Sequence, residues 1–243
     1  LETQERILLC YDNRNGDLLW QKTVVTASLE GKHRDNSYAS GTPATDGNLV
    51  YVSFLDGEDV VVAAYDFAGK QVWLKQPGKF SSPHGYSCSP ALFEDKVIIN
   101  GNSKEGGFLT ALNKTDGKII WKIPHNESSH SFTTPIFRKM AGKMQMIFGG
   151  NREIGSYNPN DGSRYWFVSG PSEDFTSTPV YNEKENLVIM SSAWPQRFLL
   201  AIKPDGSGDV TESHVVWKNK EGAVYVPSPI TTGDYILTTM TNG

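Results

Sequence analysis

One phrase returns along this chain and limits what it can fold into. Ala111-Leu-Asn113-Lys-Thr-Asp-Gly117-Lys-Ile-Ile-Trp121 has relatives in Cys10-Tyr-Asp12-Asn-Arg-Asn-Gly16-Asp-Leu-Leu-Trp20, Ala64-Tyr-Asp66-Phe-Ala-Gly69-Lys-Gln-Val-Trp73 and Ser156-Tyr-Asn158-Pro-Asn-Asp-Gly162-Ser-Arg-Tyr-Trp166. A stretched copy runs from Ala201-Ile-Lys203 through Gly206-Ser-Gly208 to Trp217. In the first four copies the Gly precedes the Trp by four residues, and the Trp-to-Trp steps are 53, 48, 45 and 51. A second marker, Thr42-Pro43, Ser89-Pro90, Thr134-Pro135, Thr178-Pro179 and Ser228-Pro229, steps by 47, 45, 44 and 50. Two independent markers with one period of about 47 residues define an internal repeat, and that length belongs to solenoids, propellers or arrays.

Each copy reads as strands. Short runs such as Val61-Val62-Ala63-Ala64 and Phe108-Leu109-Thr110-Ala111 lead into an Asp or Asn and a Gly-bearing turn, followed by a second run ending on Trp. That is a β-hairpin whose Gly supplies the positive φ of the turn. The Ser/Thr-Pro marker opens the other half, where two short apolar segments flank a polar turn such as Thr45-Asp46-Gly47-Asn48. One period is therefore four antiparallel strands, the content of a propeller blade.

The phrase Ala-x-Asp/Asn-x-x-x-Gly-Lys-x-x-Trp, with its Ser/Thr-Pro opening strand, resembles the tryptophan-docking repeat of quinoprotein-type (PQQ-like) β-propellers over nearly the whole chain. No Trp is followed by Asp, as WD-type propellers would require. The resemblance implies an exported protein, periplasmic or extracellular. It leaves activity open, because the family includes quinone-dependent alcohol and sugar dehydrogenases, an outer-membrane assembly lipoprotein and secreted proteins that bind no quinone. The dehydrogenases often carry a vicinal Cys-Cys pair against the cofactor, whereas Cys10 and Cys88 lie apart here, in different blades, and are expected as buried small side chains rather than a disulfide.

The expected organisation is one all-β propeller domain, residues 1–243. Four blades fall at about 40–76, 87–124, 131–169 and 176–220, with half-blades at 1–24 and 227–243. The half-blades are complementary. They would close a five-bladed ring, removing exposed sheet edges; the same pattern arises in a chain cut from a seven- or eight-bladed propeller, which the turn-like ending Thr241-Asn242-Gly243 fits. Apolar content is 38% and no run approaches the roughly 18 residues of a spanning helix. With a net charge of −4 and scattered Lys and Arg, neither a membrane-spanning segment nor nucleic acid as partner is expected.

The repeated Trp20, Trp73, Trp121, Trp166 and Trp217 are expected to pack between neighbouring blades with their indole N–H groups on backbone, and Asp12, Asp66, Asn113 and Asn158 to bond their own turns. Function should lie where the copies differ, in the segments joining one blade to the next and the loops on the same face. The joining segments are polar and aromatic: His33, Arg34, Asp35, Asn36, Ser37 and Tyr38; then His84 and Tyr86; then His125 to His130; then Glu173-Asp174; then Tyr225. Companion loops add Asn102, Lys104 and Glu105; Asn151, Arg152 and Glu153; and Trp194, Gln196 and Arg197. The candidate ligand-binding set is His33, Arg34, Asn36, Tyr38, His84, Tyr86, His130, Arg152, Trp194, Arg197 and Tyr225. Trp194, alone among the six Trp, stands outside the repeat position and suits stacking.

Three chemistries were weighed. A metal site from His125, Glu127 and His130 has fitting ligand types but irregular loop spacing, and no metal is expected. A quinone-dependent dehydrogenase would use pyrroloquinoline quinone and calcium over the central funnel, with Asp174 or Glu173 as base and Arg34 or Arg152 beside the quinone, but no motif fixes these positions. Nucleophilic hydrolysis finds no G-x-S-x-G, H-E-x-x-H or phosphate loop. The expected function is a non-enzymatic binding or scaffolding module, without cofactor, for a protein segment or a carbohydrate. The alternative is the quinoprotein oxidoreductase, or a propeller fragment of a larger protein.

Overall fold

The structure is a computed structural model that describes residues 3–104, 106–126, 129–170, 172–192 and 194–240. The ending 241–243 lies outside the described residues, as do Glu105, Glu127 and Ser128. Among the described residues every regular element is a strand. Two compact units emerge, unit 1 (residues 1–101 and 105–124) and unit 2 (residues 102–104 and 125–243).

Unit 1 opens on the hairpin of β1 (Thr3–Tyr11) and β2 (Leu18–Ser28). A four-stranded sheet follows from β3 (Ala44–Thr45), β4 (Leu49–Asp56), β5 (Asp59–Asp66) and β6 (Gln71–Lys79), in chain order. The next comprises β7 (Ala91–Phe93), β8 (Lys96–Gly101), β9 (Gly107–Asn113) and β10 (Ile119–His125). In unit 2 the short β11 (His130–Ser131) precedes a sheet of β12 (Ile136–Met140), β13 (Lys143–Gly150), β14 (Glu153–Tyr157) and β15 (Arg164–Ser169). After β16 (Asp174–Phe175) come β17 (Val180–Asn182), β18 (Leu187–Ser192) and β19 (Phe198–Ile202). Then β20 (Gly208–Asp209) intervenes before β21 (Val215–Asn219) completes that sheet. A last hairpin is β22 (Ile230–Thr232) with β23 (Tyr235–Leu237). Four full sheets and two hairpins match the period of the sequence.

The repeat phrase explains itself in these turns. The Gly16, Gly69, Gly117 and Gly162 amides bond back to the Asp12, Asp66, Asn113 and Asn158 carbonyls at 2.8–3.0 Å. The same Asp and Asn side chains accept the amides of Arg14, Ala68, Thr115 and Asn160. The Trp N–H then reaches one copy ahead. Trp20 Nε1 donates to the Phe67 carbonyl at 2.9 Å, Trp73 Nε1 to Lys114 at 2.8 Å, and Trp166 Nε1 to Pro204 at 3.1 Å. Phe67 and Lys114 each follow the Asp66 or Asn113 that ends a strand, and Pro204 stands two residues past the end of β19. Gly117 has φ +70, and a Cβ there would stand 2.7 Å from the Trp73 ring, so this Gly serves both its turn and its neighbour's indole.

The Ser/Thr-Pro marker binds copies together as well: the Thr42 amide donates to Ser89 Oγ and the Thr178 amide to Ser228 Oγ, both at 2.9 Å. Between the sheets lie apolar layers. In unit 1, Leu8, Val52, Phe54 and Ala63 gather; in unit 2, Ile147, Trp166, Phe175, Val188, Met190 and Val210 do.

The stretched copy does more than lengthen a turn. Its insert supplies β20, which pairs parallel to the outer strand β15 (Trp166↔Gly208, Phe167↔Asp209) and makes that sheet five-stranded. Val210 plugs the unit 2 core, and the Ser169 amide donates to Thr211 Oγ1 at 2.9 Å. Cys10 and Cys88 are free thiols, the latter buried.

Candidate functional site

In unit 2 the joining segments lie side by side, because β11 and β16 pair in parallel (His130↔Asp174, Ser131↔Phe175). The His130 amide donates to the Glu173 carbonyl at 3.1 Å and the Phe132 amide to Phe175 at 2.7 Å. This pairing satisfies the backbone of both segments and buries the side chains that start them. His130 Nδ1 stands 3.3 Å from Asp174 Oδ1, with the two residues only 3% and 4% exposed. Burial alone would raise the Asp174 carboxyl; the hydrogen bond and charge of His130, with Lys104 behind, bring it below the ordinary carboxylate value.

Beside this pair stands Trp194. Its carbonyl accepts the Glu173 amide at 2.9 Å, the Asp174 amide at 3.3 Å and the Ser172 hydroxyl. Three donors fix the backbone while the indole is 54% exposed. Arg152 Nη2 lies 3.2 Å from Glu173 Oε1, in a pair half open to water.

Arg152 is presented by a second network. Asn151 and Arg152 form the two-residue connection between β13 and β14, with φ of +53 and +59, the left-handed pair of a tight hairpin. Asn tolerates that conformation; Arg does so at a cost, offset by surrounding bonds. Asn102 Oδ1 accepts the Asn151 amide at 3.1 Å, Ser129 Oγ accepts the Arg152 amide at 3.3 Å, and the Gly170 amide donates to the Arg152 carbonyl at 2.7 Å. Asn102 Nδ2 donates to the carbonyl and hydroxyl of Ser129 at 3.1 and 3.0 Å, which fixes the amide orientation. Its Oδ1 then faces His125 Nδ1 at 2.6 Å, so Nδ1 carries the imidazole proton. His125 Nε2 is a buried acceptor with no partner among the described residues, and the ring stacks on Phe148 at 5.7 Å. Burial lowers His125 to about 4.

Unit 1 gathers its own joining segments. Asn36 Nδ2 donates to the His84 carbonyl at 2.7 Å, and the His33 and His84 rings are 6.3 Å apart. Arg34 is exposed, 3.4 Å from Asp35. Tyr38 lies under the Arg6 guanidinium at 4.6 Å and near Lys32 at 5.2 Å.

Two expected contact residues face inward instead. Tyr86 is buried, edge-on to Phe80 at 5.1 Å, with its hydroxyl 3.4 Å from the Asn100 carbonyl, so its ring offers no stacking surface. His130 is committed to Asp174. Both were expected to offer ligand contacts because joining loops usually lie open to solvent; local backbone pairing and aromatic packing bury them here. Tyr225 is half-buried, its carbonyl accepting the Thr176 hydroxyl, and Arg197 is exposed. Of the metal triad weighed from sequence, Glu127 lies outside the described residues, while His125 and His130 hold separate partners. Sequence reasoning passed over Ser129 and Ser172, since single serines in a polar loop carry no pattern. It passed over Arg6 too, a charge immediately before the apolar run Ile7-Leu8-Leu9.

Four-stranded antiparallel sheets, with Trp20, Trp73 and Trp166 each seated on the following turn and polar joining segments between them, define a β-propeller. The chain belongs to the PQQ_2 family, described as "Outer membrane protein assembly factor BamB", whose model matches residues 4–243. Among solved structures it is similar to BamB from Moraxella catarrhalis, with a TM-score of 0.51 and 16% identity over 95% of this chain and 75% of that one. A quinohemoprotein alcohol dehydrogenase from Comamonas testosteroni gives 0.57 and 15% over 88% of this chain and 40% of the enzyme. A europium-containing methanol dehydrogenase gives 0.61 and 11% over 90% and 49%. At these identities the likeness shows the fold, and the chain spans less than half of either dehydrogenase. No protein of curated function matches the chain. Among the described residues no helix is long and apolar enough to cross a membrane.

Proposed function

We propose that the chain is a non-enzymatic binding module of an exported propeller, and that unit 2 takes an extended protein segment against Trp194, Arg152 and Glu173. The observation that carries this reading is Trp194: an indole 54% exposed on a backbone held by three donors, beside an Arg–Glu pair. Exposed Trp and Arg on a rigid support are the residues that dominate protein–protein contacts. The family description as an assembly factor for outer membrane proteins supports both a protein ligand and export.

The quinone alternative fits these residues poorly. The two carboxylates it would use, Glu173 and Asp174, are engaged by Arg152 and His130, and Asp174 is only 4% exposed. Asp174 is enclosed, and Glu173, with its side chain 32% exposed, is drawn to Arg152 and does not stand free as a base.

The test is peptide selection on the folded chain with the Trp194→Ala variant beside it. Selected extended peptides should bind the variant at least about tenfold more weakly, a loss of about 1.4 kcal/mol, at an unchanged melting temperature, and binding should survive calcium removal. Equal binding to the variant sinks the assignment. Saturable, calcium-dependent binding of pyrroloquinoline quinone with dye reduction would replace it by the oxidoreductase.

A further inference from the structure

Unit 1 holds a cleft of about 250 Å³ at the turn between β4 and β5 and the segments that follow β2 and β6. Leu29, Leu55 and Phe80 give it apolar walls, and Glu30, Glu58 and Ser81 supply oxygen atoms. Its volume falls below the roughly 300–1,000 Å³ of cofactor and drug-sized sites, and suits a single side chain.

Glu30 is held from behind. Its Oε2 accepts Arg6 Nη2 at 2.7 Å, with the two side chains 9% and 1% exposed. The Arg6 guanidinium is fixed further by the Tyr38 ring, and its Nε and Nη1 meet no acceptor among the described residues. Arg6 is held in place, because among the described residues this carboxylate is its one charge partner and an unpaired buried cation is costly. Burial raises the Glu30 carboxyl, and its own amide, Arg6 and Lys32 do not bring it back down. Glu58 is paired only loosely, 3.7 Å from Lys79 with both side chains mostly in water, a contact of small value that a better partner displaces.

We propose that this cleft receives one lysine or arginine side chain of a protein partner, its methylene stem along Leu29 and its charged head between Glu30 and Glu58. Long basic side chains bury their stems in this way while the head keeps polar company. An acidic guest would meet two carboxylates, and a neutral one would bring no charge to either. The inference is independent of the unit 2 reading, since every residue it uses belongs to unit 1.

The test is titration of the folded chain with the N-acetyl methylamides of lysine and arginine, against those of norleucine and glutamate. Glu30→Gln would strand Arg6 and risk the fold, so the informative variant is Gly31→Leu. Gly31 lines the cleft outside the left-handed region, and a Cβ there meets nothing within 4 Å, so leucine fills the space without strain. Saturable binding of a basic probe is expected, absent for norleucine, weakened at least about tenfold by Gly31→Leu and unchanged by Trp194→Ala. No saturation by either basic probe, an equal response to norleucine, preference for glutamate, or indifference to Gly31→Leu each overturns the proposal. Loss of peptide binding in Trp194→Ala concerns unit 2 alone.

Discussion

His125 should make this protein sensitive to mild acid. Its proton sits on Nδ1, donated to Asn102, and burial lowers the imidazole from an ordinary 6.5 to about 4. The unfolded chain therefore takes up a proton at this residue below pH 6.5, while the folded chain refuses it until about pH 4. Stability from this group is complete above pH 6.5 and falls by about 1.4 kcal/mol per pH unit across the window, reaching a floor about 3 kcal/mol lower near pH 4. Other groups titrate nearby. Asp174, lowered below 3.8, acts beneath the window; Glu30, raised above 4.5, acts within it with the opposite slope. Both cancel when the native chain is compared with His125→Asn, whose side-chain amide still offers Asn102 a donor. The assay is urea unfolding of both at pH 7, 6, 5 and 4, with the difference plotted against pH. The native chain should lose about 3 kcal/mol relative to the variant from top to bottom. Parallel profiles would refute the reasoning, as would an NMR titration of the His125 ring with a midpoint near 6.5.

Three further outcomes follow from the packing. Trp166→Ala, which empties a fully buried site and removes the indole N–H shared by Gln145 Oε1 and the Pro204 carbonyl, should cost about 3–5 kcal/mol, whereas Trp194→Ala should stay within about 0.5 kcal/mol; similar losses in urea melts would contradict the roles assigned. Gly117→Ala combines φ +70 with a Cβ 2.7 Å from Trp73, so it should cost more than Gly16→Ala, where φ is +78 but a Cβ meets nothing within 4 Å; the excess should be about 1 kcal/mol or more, and equal melts would show that the indole is not seated on this turn. Val210→Ala should cost about 1–3 kcal/mol and speed proteolytic cleavage of residues 204–213, because Val210 pins the insert to the unit 2 core; unchanged cleavage would mean that the β20 pairing alone holds it.

The fold was legible because its markers are interactions of one period's reach. Trp73 with Lys114, and Thr42 with Ser89, each join a residue to the next copy, so the requirement is written again in every copy. The site was legible only in part. Polar joining segments drew the eye to Arg152, Glu173 and Trp194, but polarity alone could not separate a wet side chain from a bonded one. His130 and Tyr86 differ from Arg152 in their partners, and a partner that occurs once leaves no periodic trace. The insert before Trp217 was visible as extra length; that it returns to the edge of β15 depends on Val210 finding a hole in the preceding layer, which length does not reveal.

The polar residues of the unit 2 joining segments therefore fall into two kinds of duty. Asn102, Ser129 and Ser172 hold backbone: Asn102 bonds Asn151 and Ser129 besides the His125 ring and the Ser129 hydroxyl, Ser129 bonds Arg152, and Ser172 bonds Trp194. Arg152, Glu173 and the Trp194 indole keep part of their surface for water. A contact surface works when the displayed groups are held by a second layer that loses no entropy on binding. The two kinds should thus separate on substitution: a change at Trp194 alters binding at constant stability, whereas Asn102→Ala releases the Asn151–Arg152 turn from its left-handed conformation and lowers binding and stability together. The divergence among copies that made these segments look functional is concentrated in the holding layer as much as in the groups it presents.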